Sequence, residues 1–150
     1  MMHWVQADLC SWDQVSSSVS VPFGPVDVAL DKSTSDAIAT SVSRTFHSFT
    51  GPPPAAISPV VQEILDQTQK EELTLAPVEL LALHLASITQ QGAVWLALSY
   101  SNTRFDGFAH MLAYWEILSR TPLKAPSGQT ASASAMVPEV FHWVYVLRRK

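Results

Sequence analysis

With 150 residues, 47% hydrophobic and 15% charged, the chain has the size and balance of a single domain with buried strands, not of a disordered tail. A net charge of −4 speaks against a phosphate-backbone binder, which would show a basic face. No apolar run approaches the roughly 18 to 20 residues of a membrane helix, and the start MMHWVQADLC lacks a signal peptide's layout. The lone Cys10 excludes an internal disulfide and suits a reducing compartment. Together these features predict a soluble, cytoplasmic protein with no nucleic-acid or membrane partner.

His3 to Ala7 reads as a short strand ended by Asp8-Leu9, and Ser11 to Val21 as a Ser-rich connector. Gly24-Pro25 then opens the apolar run Val26 to Leu30, followed by a sharp polar switch at Asp31-Lys32-Ser33-Thr34. A short apolar run bounded by turn signals is the pattern of a strand buried on both faces. Thr34 to Phe46 reads as the following helix, with Ile38, Val42 and Phe46 as its stripe, Ser33 and Thr34 as cap candidates and Asp36 in the first turn. Three consecutive prolines, Pro52 to Pro54, cannot continue a helix. Residues 47–73 are therefore expected to form a surface insertion containing one amphipathic helix, Ser58 to Gln69.

Pro77 to Gln91 is the clearest helix, with Pro77 at its first position, Glu79 in its first turn and Gly92 as the expected left-handed cap. Ala93 to Leu98 is a second run apolar on both faces. Helix, glycine and buried strand predict the second half of a parallel crossover unit. Ser99 to Arg104 forms a second polar strand mouth, Phe105 to Leu112 one or two helical turns, and Trp115 to Leu123 a strand. Ala125 to Ala135 is a small-residue loop. Glu139 to Leu147 is apolar on both alternations and so is expected inside the sheet, with Trp95, Trp143 and Tyr145 in the core and His142 as a hydrogen-bonded core histidine.

Polar residues at the ends of adjacent parallel strands mark where open α/β sheets bind ligands. Asp27, Asp31-Lys32 and Asp36-Ala37 stand at the spacing D-x-x-x-D-K-x-x-x-D-A. That spacing resembles the fourth-strand motif of class I, S-adenosylmethionine-dependent methyltransferases, in the branch of protein-lysine methyltransferases and their fungal relatives. Gly92 to Phe108, with Tyr100-Ser101 and Arg104-Phe105, is similar to that branch's fifth strand and following segment. Val137 to Lys150 resembles its closing antiparallel strand.

The resemblance implies an α/β, Rossmann-like partial sheet: strands equivalent to the third to seventh of a seven-stranded sheet ordered 3-2-1-4-5-7-6, with flanking helices and the last strand antiparallel. It implies an enzyme that transfers a methyl group from S-adenosylmethionine to a protein lysine or a small-molecule acceptor. Asp8, Leu9, Asp31 and Lys32 would then lie on the cofactor, and Ser33, Tyr100 and Arg104 on the acceptor side. The residues alone leave plainer readings open, with Asp31 ending a strand, Tyr100 at a core edge, and Asp8 and Arg104 at the surface. The five histidines show no ligand spacing, so no metal is expected.

The chain departs from the family in one respect. Gly24, Gly51, Gly92, Gly107 and Gly128 lie far apart, so the family's Gly-x-Gly loop has no counterpart. The expectation is one domain over residues 1–150, N-terminally truncated relative to the family and inactive or weak alone. The alternative is a non-catalytic module that completes its sheet by binding another chain, or itself, at an uncovered edge. A nicotinamide-dependent oxidoreductase ranks below both, because it needs the same glycine loop.

Overall fold

The structure, a computed structural model, describes residues 4–19, 25–52, 54–125 and 139–150. Its elements are α1 (Trp12–Val19), β1 (Val26–Lys32), α2 (Thr34–Ile38), β2 (Arg44–His47), α3 (Pro59–Thr68), β3 (Glu72–Leu75), α4 (Pro77–Ile88), β4 (Thr89–Ser99), α5 (Ala109–Tyr114), β5 (Trp115–Lys124) and β6 (Phe141–Arg149). They build a mixed α/β fold on a four-stranded sheet of order β1-β4-β6-β5, with β2 and β3 forming a separate ribbon. β1 and β4 are parallel neighbours, and β6 is antiparallel to both β4 and β5. β6 alone therefore runs against the other three.

The two apolar runs at Val26 and Ala93 pair in register from Val28↔Val94 to Lys32↔Leu98. Along β4, Ala93, Trp95, Ala97 and Ser99 are buried, while the alternate residues Val94, Leu96 and Leu98 are only half-buried. α4 covers the first of these faces: Leu81 and Leu85 line a cavity with Trp95, and the Trp115 indole N–H donates to the Ala82 carbonyl at 2.8 Å. Trp95 packs edge-on against Phe105 and Trp115, and Phe105 against Tyr145. These aromatic rings are fully buried and form the centre of the core, whereas Trp143 is half-buried.

Several elements differ from expectation. Trp4 to Ala7 join no strand, and Trp4 and Val5 are exposed. Among the described residues no strand lies beyond β1, and this segment leaves that free edge unpaired. The helix expected to reach Phe46 stops at Ile38. Thr40 turns its hydroxyl back to the Ala37 carbonyl, Val42 is exposed, and Phe46 instead pairs with Leu73 between β2 and β3. The Ser-rich connector before β1 holds α1.

The expected insertion is closed at its base by that ribbon, which extends it at both ends. α3 runs inside it, capped by the Ser58 hydroxyl and burying Val60, Val61, Ile64 and Leu65. Gly92 caps no helix: α4 ends at Ile88, and Gly92 sits inside β4 at φ +86. Its left-handed backbone falls where the β1–β4 register shifts between Val26↔Thr89 and Val28↔Val94. The helical turn expected up to Leu112 is displaced to α5. Apart from Ala125, the predicted loop over 125–135 lies outside the described residues.

Candidate strand-mouth site

The C-terminal ends of β1 and β4 lie side by side because the strands are parallel and adjacent. Asp31, the last buried residue of β1, turns its carboxylate onto the start of α2. Oδ1 accepts from the Thr34 N–H at 2.6 Å, and both oxygens lie 3.3 Å from the Ser35 N–H. Asp31 therefore performs the capping that the sequence assigns to Ser33 or Thr34, a role worth about 1 kcal/mol. Ser33 takes a left-handed backbone at φ 62, and its N–H donates to the Leu98 carbonyl at 2.9 Å, tying the turn to β4. Lys32 is exposed at the rim of an open groove lined by Leu30, Leu96, Leu98 and Val144.

The second mouth is organised by Asp36 of α2, which the sequence reading placed in the motif and as a first-turn acid but gave no partners. One carboxylate oxygen accepts from the Ser99 hydroxyl at 2.6 Å and from Arg104 Nε at 2.9 Å, with Arg104 Nη2 at 2.7 Å. The other oxygen accepts from the Tyr100 N–H at 3.0 Å. Both side chains of the ion pair are largely buried, at 13% exposure for Asp36 and 20% for Arg104. From below, the Tyr145 hydroxyl donates to the Ser101 carbonyl at 2.8 Å and lies 3.3 Å from the Arg104 N–H. Burial pushes the Tyr145 hydroxyl's pKa upward, so it stays a donor there. One signal for this hub was available: an acid three residues past the turn at Ser33, with Ser99 and Arg104 flanking the opposite mouth.

Arg104 is therefore drawn into the scaffold, while the Tyr100 ring is exposed and meets His142 edge-on at 4.6 Å. His142 is half-buried and takes that aromatic contact, with no side-chain hydrogen bond among the described residues of the kind expected for a core histidine. On the other side of β1, Leu9 joins Asp31, Ala29, Thr34 and Trp95 around a cavity of about 70 Å³. Asp8 does not line it. Its carboxylate pairs with Arg44 at 3.2 Å and accepts from the Cys10 N–H at 2.9 Å. The structure thus brings together Asp31, Lys32, Ser33 and Arg104 at neighbouring strand ends, with Leu9 alongside, and leaves Asp8 apart.

A cavity of about 70 Å³ is far below the roughly 300 to 1,000 Å³ of small-molecule sites. The open groove beside Asp31 and Lys32 is larger, at about 270 Å³. Two buried polar atoms in this region, Ser35 Oγ and the Trp95 indole nitrogen, have no hydrogen-bond partner among the described residues. Among the described residues no group of three His, Cys, Asp or Glu side chains gathers to hold a metal, and no helix is long and apolar enough to cross a membrane. Comparison of the chain with protein families, with curated proteins and with solved structures found no match.

Proposed function

We propose that this chain carries the C-terminal part of a class I, S-adenosylmethionine-dependent methyltransferase fold, with a protein lysine as the expected acceptor, and that alone it is inactive or weakly active. One observation carries the reading: the sheet runs β1-β4-β6-β5 with only β6 reversed. This is the order and direction that the resemblance asks of fourth, fifth, seventh and sixth strands. The polar tips of β1 and β4 then open on one cleft, with Asp31 to Ser33 on one rim and Ser99 to Arg104 on the other.

Weak activity follows from what surrounds those rims. The glycines are scattered and the cavity beside Asp31 is small. Each missing charged contact to a cofactor costs roughly 1.5 to 3 kcal/mol, so two such losses weaken binding by on the order of a hundredfold to ten-thousandfold. Titration with S-adenosylmethionine, followed by calorimetry and by amide chemical shifts, tests both parts. The expected result is no micromolar heat, but saturable millimolar shifts at residues 31–33 and 99–104. A micromolar dissociation constant would overturn the weak-activity part. Shifts absent from both rims at millimolar cofactor would overturn the family reading.

A second reading, a non-catalytic module that completes its sheet with another chain, is favoured by a different observation. β1 is an edge strand, and its face bearing Val28 and Leu30 is 54% and 79% exposed at those residues. Light scattering over a concentration series addresses it: a monomer at every concentration, with a single cooperative melt, argues against self-completion.

A further inference from the structure

Residues 8–19 meet the sheet's helical cover at one buried histidine. His84 lies on α4, 2% exposed, and its Nδ1 stands 2.9 Å from the Leu9 carbonyl oxygen. The Trp12 indole leans over its ring at 5.5 Å. Cys10 and Val15 are buried beside these contacts, yet the other turns of α1 are largely exposed. Leu9 is also one wall of the cavity that Asp31, Thr34 and Trp95 share. The segment is therefore both the lightly held element and the cover on that side of the β1 tip.

We propose that His84 is a proton-sensitive latch: in its neutral form it fastens residues 8–19 to α4, and protonation loosens them and opens the Leu9 side of the cavity next to Asp31. A neutral ring protonated on Nδ1 donates to the Leu9 carbonyl. A second proton places a full charge on a ring that is 2% exposed, and buried charge is costly unless paired. The charged groups that face the ring are Asp8 of the same segment and Arg44 of β2, which pair with each other at 3.2 Å and so largely cancel. Cys10, the nearby thiol, shares those two neighbours, and its pKa is pushed up by burial, so it stays neutral over the range concerned.

Burial is the largest influence on His84 and lowers its pKa from the ordinary 6.5, outweighing the hydrogen bond to Leu9. The docked state thus binds fewer protons than the undocked one. Docking is at full strength above the ordinary histidine range, and is lost as pH falls below 6.5 and through the lowered value.

Hydrogen exchange of the whole chain between pH 7.5 and 5.0, corrected for intrinsic rates, reads the latch directly. Protection in peptides covering 8–19 is expected to fall with pH, while peptides covering 80–86 and 93–99 keep theirs. His84→Gln, which keeps a polar side chain but cannot titrate in this range, is expected to abolish the step. Asp8→Asn is expected to retain it, which separates the histidine from the Asp8–Arg44 pair. Flat protection in the native chain, the same step in His84→Gln, or parallel loss from 93–99 would each overturn the proposal. Should His84→Gln fail to fold, a direct titration of the His84 ring by NMR decides. A midpoint at or above 6.5 refutes the latch, and one below 6.5 that tracks the exchange step supports it.

Discussion

The two faces of the sheet are built from the same strands and meet opposite fates. On the face carrying Trp95, Ala97, Tyr145 and Leu147, every one of these side chains is fully or almost fully buried, because α4 lies across it. On the face carrying Val28, Leu30, Leu96 and Val144, none is buried. The residue types do not explain the contrast, since both sets are apolar. What differs is the partner: the chain between β1 and β4 supplies helices to one side. Parallel strands are usually covered on both faces and antiparallel ones tolerate a solvated face; in this mixed sheet, among the described residues, only one face is covered. Substitutions on the covered face should accordingly act mainly on folding, and those on the bare face mainly on self-association.

The largest expected effect lies at the centre of the covered face. Trp95→Ala removes a fully buried indole from between Phe105 and Trp115 and should cost about 3 to 5 kcal/mol, read as a lowered midpoint in urea unfolding. Next comes the mouth. Asp36→Ala deletes the acceptor for Ser99, the Tyr100 N–H and Arg104 at once, leaving a largely buried guanidinium unpaired. A loss of about 2 to 3 kcal/mol is expected. The double change Asp36→Ala with Arg104→Met should recover part of it, and no recovery would mean that the pair does not organise the mouth.

Legibility in the sequence divides along similar lines. β1, β4, β6, α3 and α4 could be read because each has a local cause: an apolar run between turn signals, a proline at a helix start, or a four-residue stripe. β2 and β3 could not, since each is four residues long and exists only through a partner far along the chain, down to the paired hydroxyls of Thr45 and Thr74. The stripe Ile38, Val42, Phe46 imitated a helix, yet Val42 is 84% exposed and Phe46 faces Leu73. Asp31 was visible as a strand-end acid. Its task of capping α2 was not read, because Ser33 and Thr34 offered themselves as caps, and Ser33's left-handed turn carried no side-chain signal. Asp36 was overlooked as a hub because its partners lie 63 to 68 positions away. His84 escaped for the same reason, with Leu9 75 positions distant.

Smaller effects sharpen the comparison further. Ser58 is buried at the start of α3, its hydroxyl accepting from the Val61 N–H at 3.3 Å. Ser58→Ala should cost about 1 kcal/mol, a cap's worth, because α3 belongs to the packed half of the molecule.

Leu30→Lys on the bare face is the smallest expected change to stability, within about 0.5 kcal/mol. Leu30 is 79% exposed on a strand whose outer edge is unpaired among the described residues, so a charge there removes little packing. It does place a lysine on an open edge, the device by which sheets discourage strand-to-strand association. Light scattering should therefore show less self-association for Leu30→Lys than for the native chain, at an unchanged unfolding midpoint. A fall in stability comparable to that of Trp95→Ala would mean that Leu30 is packed in solution, and the contrast between the two faces would no longer hold.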